Sequence, residues 1–340
     1  MVTIGSVISQ LRNSIKQLDE VLENLRKVVA EYLRCGQADY IINIVTNIAS
    51  SLKDPLTRKF VLEKLFSEFT GEKVRVAYLG PEGSFCHEVL KNLFRCSIDE
   101  ISCASITEVF EKVQNGQALF GIVPLENSLE GIVHETIDNF EERRSVYINL
   151  CIEHRIRLCL AVSDDVDSID DIKVLYAQPY ALAQCRTFVS RYLRNVDVVH
   201  VASTSRALQN VKNGSRSACL CSCSGARSLG VKVIAEDVQD SESYTKFALI
   251  SRTLTRAGER VSLIFTVRHE PGALYRALEV FARRSINLTM IYSRPLRKIP
   301  WRYYFYLEYE GDIDDEVVSE LERRCTSIRI VGQYPTILST

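Results

Sequence analysis

Residues 74–85 read Val74-Arg75-Val76-Ala77-Tyr78-Leu79-Gly80-Pro81-Glu82-Gly83-Ser84-Phe85. Val74–Leu79 is a short run of strand formers, and Gly80, Pro81 and Gly83 punctuate it before the next helical pattern. The segment therefore predicts a strand, a tight turn and a helix. Glycines let the backbone approach a ligand closely, and the helix that follows offers free N–H groups to an anion. The turn is neither GxGxxG nor a P-loop, so nucleotide binding is not supported.

The same alternation continues downstream. Further strands are expected at Leu119–Val123, Ile156–Val162, Val174–Ala177, Val196–Val201, Ala218–Cys221, Val231–Glu236 and Lys246–Ser251, with helices between them. Ser105 with Glu108 three residues on marks one helix start, and Ser203-Thr204 caps another. Such alternation implies parallel sheets covered by helices. Residues 73–253 should form two lobes with a cleft between them, ligands binding beyond the carboxyl ends of the strands.

Upstream, residues 1–72 are helical. Ile8, Leu11, Ile15, Leu18, Leu22, Leu25, Val29 and Tyr32 form a heptad stripe. A second helix is expected over Asp39–Leu52 on Ile42, Val45, Ile48 and Leu52, and a third from Pro55, capped by Asp54. Downstream, residues 258–336 read strand, helix, strand, strand, helix, strand, the split βαββαβ order.

Composition restricts the function. The 340 residues are 46% hydrophobic and 25% charged, and 42 Lys+Arg against 43 Asp+Glu leave a net charge of -1. That balance argues against a nucleic-acid partner. No apolar run approaches a membrane span, and no secretion signal is recognisable, so a cytoplasmic protein without membrane contact is expected. The 11 cysteines include no CxxC pair, and the five histidines show no HxxxH or HExxH spacing. Cys219, Cys221 and Cys223 would share one face of a strand, and the expectation for them is small core residues rather than a metal site. His87, near a helix start, is the one histidine with a plausible functional position.

Other loops combine polar groups just after predicted strands. Pro124-Leu125-Glu126-Asn127-Ser128-Leu129-Glu130-Gly131 packs donors and carboxylates together. Gln178-Pro179-Tyr180-Ala181-Leu182-Ala183-Gln184-Cys185 opens a helix at a proline. Ser241-Glu242-Ser243-Tyr244-Thr245-Lys246-Phe247 sets hydroxyls beside a cation, and Thr245 could donate a hydrogen bond to a carboxylate or a departing hydroxyl.

These loops, in order, resemble prephenate dehydratase. GPEGSF (80–85) is similar to its GPxGTF opening, GIVPLENSLEGIV (121–133) to its most specific motif, QPYALAQC (178–185) to SHPxxLxQC, STSRAL (203–208) to StAxAA and YTKF (244–247) to xTRF. The C-terminal region resembles an ACT domain, with Gly272-Ala273-Leu274 and Ser293-Arg294-Pro295 similar to its GAL and ESRP effector motifs. The resemblance implies an α/β, two-lobed, periplasmic-binding-protein-like catalytic domain followed by a ferredoxin-like ACT domain. It implies decarboxylative dehydration of prephenate to phenylpyruvate, regulated by phenylalanine, with no cofactor and no metal, in a homodimer or homotetramer.

By the same resemblance Thr245 is the hydroxyl donor to the leaving group. Ser84, Glu126, Asn127, Ser128, Ser203, Thr204, Lys246 and Phe247 line or orient the substrate, and Gly272, Ala273, Leu274, Asn287, Ser293 and Arg294 hold the effector. This chain departs from the family pattern at Lys246 (Arg), Gln178 (His), Ser84 (Thr) and Tyr292 (Glu). Arogenate dehydratase and a non-catalytic aromatic-acid binder are the alternatives. Leu11-Arg12…Ile15…Leu18-Asp19…Leu22 resembles the start of an AroQ-type chorismate mutase. Only Arg12 and Arg26 or Lys27 could serve its dianionic transition state, so a structural, dimerising unit is expected there, with an active bifunctional enzyme as the alternative.

Overall fold

The computed structural model describes residues 27, 38–52, 58, 61, 74–94, 98–297 and 299–339. The helices expected over Ile8–Tyr32 and from Pro55 onward lie largely outside these residues, as do Arg12 and Arg26. Helix α1 (Ala38–Ser51) stands where the second helix was expected. It sets Val45 and Ala49 into the core beneath the first lobe.

The first lobe is built on strands β1 (Arg75–Leu79), β2 (Asp99–Cys103), β3 (Phe120–Asn127), the short β4 (Gly131–Ile132) and β5 (Tyr147–Ile156). Helices α2 (Phe85–Leu93), α3 (Ile106–Gln114) and α4 (His134–Glu142) connect them. The chain then enters the second lobe through β6 (Leu158–Val162), β7 (Val174–Ala177), α5 (Pro179–Gln184), α6 (Arg186–Tyr192), β8 (Asp197–His200), α7 (Thr204–Lys212), β9 (Ser217–Ser222), α8 (Cys223–Ser228) and β10 (Lys232–Ala235). It returns to the first lobe as β11 (Ser243–Ser251).

The sheets are mixed rather than parallel. In the first lobe the order is β16-β5-β11-β3-β1-β2, where β16 (Thr336–Ser339) comes from the far end of the chain. β1 runs parallel to β2 and β3, but β11 is antiparallel to both β3 and β5. The second sheet runs β10-β6-β9-β7-β8, with β6 antiparallel to β9 and β10. The reason is the route of the chain. It crosses between lobes twice, and each crossing delivers a strand from the opposite end, so the return strands cannot be parallel. The run read as one strand from Ile156 to Val162 is broken at Arg157, where the chain leaves the first sheet for the second. β2, β5 and β16 were not expected at all.

Period-two alternation gives the first sheet two apolar faces. Val76, Tyr78, Phe120, Ile122, Ile152, Phe247 and Leu249 pack on α1, α2 and the second lobe. Ala77, Val123, Leu125, Ala248 and Ile250 pack on α3, α4 and the C-terminal unit. The lobes meet closely where α8 begins: a Cβ on Gly225 would stand 2.4 Å from the Gly83 carbonyl oxygen.

The C-terminal unit comprises β12 (Arg260–Thr266), α9 (Ala273–Arg283), β13 (Leu288–Pro295), β14 (Tyr303–Glu310), α10 (Asp315–Arg324) and β15 (Ser327–Tyr334). Its antiparallel sheet has the order β13-β14-β12-β15. Val261, Leu263, Phe265 and Leu307 face the two helices. Ile264, Met290, Tyr304, Tyr306, Val331 and Tyr334 face the first lobe and share its core. Cys159, Cys219, Cys221 and Cys223 form a small apolar cluster in the second lobe. Among the described residues no helix is long and apolar enough to cross a membrane.

Candidate functional site

Between the lobes lies a cavity of about 330 Å³, at the lower end of the roughly 300–1,000 Å³ usual for small-molecule sites. Its walls come from strand ends and helix starts. Ser84 caps α2, its hydroxyl donating to the Leu79 carbonyl at 2.8 Å and accepting from the His87 amide at 3.2 Å. Ser203 caps α7 by accepting from the Arg206 amide. Gln178 caps α5 through its carbonyl oxygen, 3.0 Å from the Ala181 amide, with Pro179 at the first helical position. The first N–H groups of a helix have no intrahelical partner, and α2 and α7 both begin at the cavity wall.

Asn127 and Thr245 form the polar centre. Paired β3 and β11 place them opposite one another. The Asn127 side-chain oxygen accepts from the amides of Leu129 and Glu130 at 2.9 and 3.1 Å. Backbone N–H groups can only donate, so the amide orientation is fixed and Nδ2 faces β11. There it donates to Ser243 Oγ at 3.0 Å and to Thr245 Oγ1 at 2.9 Å. Thr245 thus has an acceptor lone pair occupied, and its own proton is available to the cavity. Phe247, two residues on, walls the same face.

Ser84, Asn127, Ser203, Thr204, Thr245 and Phe247 all line this cavity. Glu126, Ser128 and Lys246 do not. Lys246 and Glu126 are paired across β11 and β3 on the opposite face of the sheet, 2.8 Å apart. Burial favours neutral Lys246, but Glu126 and Glu308 outweigh it and hold the ammonium above its usual range. Ser128 accepts from the Tyr244 amide and shapes the turn. Strand alternation is the cause: Thr245 and Phe247 can face the cavity only if Lys246 does not.

Residues passed over in the sequence reading also line it: Glu130, Tyr180, Gln184 and Ser205. Glu130 and Gln184 meet across the cleft, the amide donating to the carboxylate at 3.2 Å. Burial raises the Glu130 carboxyl above its ordinary range, with Gln184 opposing. Ser205 is buried and its hydroxyl has no partner among the described residues. All four fall inside the quoted motifs, but none was singled out there, because their neighbours carried the recognisable chemistry. Among the described residues, no lysine or arginine lines the cavity. Cys86 lines it, but burial pushes its thiol up to about 12, leaving no thiolate nucleophile.

His87 turns away. It is buried, accepts from the Gly83 amide through Nδ1, stacks on Tyr78 and sets Nε2 3.0 Å from Glu100. It thereby ties the Gly83 turn to β1 and β2.

Of the six residues expected at the effector site, Asn287 and Arg294 stand at opposite ends of β13. Gly272 caps α9 in a left-handed conformation, with Ala273 and Leu274 in the first turn. Asn287 donates to Glu310. Ser293 is exposed, and Arg294, at the other end of β13, makes a bidentate pair with Asp138 of α4 at 3.1 and 2.8 Å. Seven residue steps along extended chain separate Asn287 from Arg294, roughly 23 Å.

Two α/β lobes enclosing a cavity lined by hydroxyl and amide groups, with the Glu130 carboxyl at its rim, define a cleft protein with a small-molecule site. The prephenate dehydratase family model matches residues 76–255, and the chain belongs to this family. It is 36% identical over 274 residues to the bifunctional chorismate mutase/prephenate dehydratase of Aquifex aeolicus, covering 78% of this chain and 75% of that one. It is 30% identical to the bifunctional protein of the same description from Stutzerimonas stutzeri, over 97% of this chain and 99% of that one. The solved prephenate dehydratase from Arthrobacter aurescens, in complex with L-Phe, is 29% identical and matches with a TM-score of 0.71, over 77% of this chain and 90% of that one.

Proposed function

We propose that this chain is a carbon–oxygen lyase that converts prephenate to phenylpyruvate, carbon dioxide and water. The ring carboxylate leaves as carbon dioxide, and its electron pair enters the ring. The ring C–O bond breaks, and the departing oxygen takes up a proton to leave as water. Aromatisation drives the step, so the protein's part is to orient the dianion and stabilise the leaving oxygen.

Thr245 is the donor to that oxygen, and Asn127 fixes its hydroxyl in the donating sense. Ser203 and Thr204 at the start of α7, with the α2 N-terminus capped by Ser84, take the carboxylates through backbone N–H groups. Phe247 walls the ring. The observation that carries this reading is the Asn127–Thr245 hydrogen bond at the wall of a cavity that, among the described residues, no lysine or arginine lines.

The C-terminal βαββαβ unit is read as an ACT domain through which L-phenylalanine tunes activity. The separation of Asn287 from Arg294 supports an effector site completed by a second subunit, in a cytoplasmic homodimer or homotetramer. Residues 1–72, 73–253 and 258–336 are then the helical, catalytic and regulatory parts. Alignment to a bifunctional relative through nearly the whole chain makes chorismate the second substrate to assay, and arogenate the third.

Phenylpyruvate formation from prephenate tests the reading directly. Wild type should turn over, and Thr245→Ala should lose about 100-fold or more in kcat while remaining folded. Wild type without product, or full activity in Thr245→Ala, would overturn it.

A further inference from the structure

We propose that Tyr292, on β13 of the C-terminal unit, is a positioning residue for the substrate cavity, acting through the turn at Gly131. The inference rests on the cavity being the prephenate site. Along residues 127–134, Asn127, Glu130 and Val133 line the cavity, while Gly131 and His134 meet Tyr292. The two sets interleave, so what touches one side of this segment sets the other.

The contacts are close. Gly131 has φ +81°, and a Cβ there would stand 2.8 Å from the Tyr292 hydroxyl oxygen. The Tyr292 ring meets His134 edge to face, with centroids 6.3 Å apart. His134 opens α4, whose N-cap, Val133, supplies no side-chain hydrogen bond. Tyr292 therefore stands against a helix start that lacks its own cap. Further along the same face of β13, Arg294 grips Asp138 in the next turn of α4, and Arg297 and Tyr304 reach the same carboxylate at 2.8 and 2.5 Å. β13 thus holds α4 at two levels, and Tyr292 is the level next to the cavity.

The effect should fall on binding rather than chemistry. Asn127 is tied independently to Ser243 and Thr245 of β11, so the catalytic hydroxyl keeps its orientation when Tyr292 is removed. Glu130 and Val133 have no bond to β11; they are held by the Asn127 side chain and the Leu125 carbonyl on either side of Gly131, so the seat of Gly131 and His134 against Tyr292 adjusts them more readily than it adjusts Asn127.

The test is steady-state kinetics with prephenate and equilibrium dialysis of prephenate on wild type, Tyr292→Ala and Tyr292→Phe. Tyr292→Ala should raise KM and the dissociation constant at least fivefold with kcat within twofold. Tyr292→Phe keeps the ring on His134 but loses the hydroxyl against Gly131, so KM and the dissociation constant should rise by less than in Tyr292→Ala, about twofold, with kcat unchanged. An unchanged KM in Tyr292→Ala overturns the proposal, as does a fall in kcat at constant KM, which marks lost folded enzyme. Wild type that neither binds nor converts prephenate overturns the functional reading beneath it, whereas active wild type with unaltered Tyr292→Ala kinetics overturns this inference alone.

Discussion

At the scale of single residues, the candidate site is organised around one amide whose orientation is not free. Asn127 spends its oxygen on the Leu129 and Glu130 amides and its nitrogen on β11, which leaves Thr245 as the group that can give a proton outward. The two side chains act as a unit, and effects of such residues are not additive. Asn127→Ala and Thr245→Ala should each cost about 100-fold in kcat, and the double variant should be no worse than the weaker single variant by more than a few-fold. A multiplicative loss, measured under saturating prephenate, would separate their roles. The motif residues were legible because their types carry chemistry: Asn127 stood out as a donor after a predicted strand, Ser203 as a helix cap and Thr245 as a hydroxyl just before the last strand of the lobe. Lys246 was misread for the same reason. A cation beside a candidate donor hydroxyl invites assignment to an anion, and only the register of β11 against β3 shows that it faces Glu126 instead.

At the scale of elements, the contact between α4 and β13 gathers charge where the sequence showed only two distant residues. Asp138 is buried, and its carboxyl is affected first by desolvation, which raises it. Arg294, Tyr304 and Arg297 together outweigh that and hold it below the ordinary range. A folded-state depression contributes stability that is present above the unfolded carboxyl value and is lost as pH falls through the folded one. Asp138→Asn should therefore destabilise the protein by about 2 kcal/mol near neutrality, less than the ~3–5 of a fully buried pair because Arg297 is exposed. The difference from wild type should shrink toward zero below the ordinary carboxylate range, read from urea unfolding at neutral pH and near pH 3. A constant difference across that window would mean the charge is not what Asp138 contributes. The helices of this region, and βαββαβ order beyond it, were readable from periodicity and caps. β5 was not, since Glu153, His154 and Arg155 interrupt its apolar run, and its face is covered by an element from far along the chain.

At the scale of the whole molecule, the C-terminal unit is bound to the first lobe by backbone as well as side chains. β15 passes over β5 so closely that a Cβ on Gly332 would stand 2.3 Å from the Ile148 carbonyl oxygen. The chain then turns at Pro335 and becomes β16, parallel to β5 and two strands from Thr245. The sequence could not disclose this strand: Thr336–Ser339 is four residues long, and its pairing is fixed by tertiary geometry alone. Ile337 is buried in the core shared with α1 and the second lobe. The Pro335 carbonyl accepts from the Cys151 amide at 3.0 Å. Ile337→Ala should cost roughly 2 kcal/mol, the low end of the range for large-to-small core changes, because the strand lies at an edge. Its distinctive mark should be local. Hydrogen exchange at the Cys151 amide should quicken by at least tenfold in Ile337→Ala while the inner amides of β11 slow or quicken only with global stability. Unchanged Cys151 exchange would show that β16 does not seal this edge. A quickening confined to β5 would show that the C-terminal unit and the catalytic sheet are joined by a strand that opens separately from the rest of the fold.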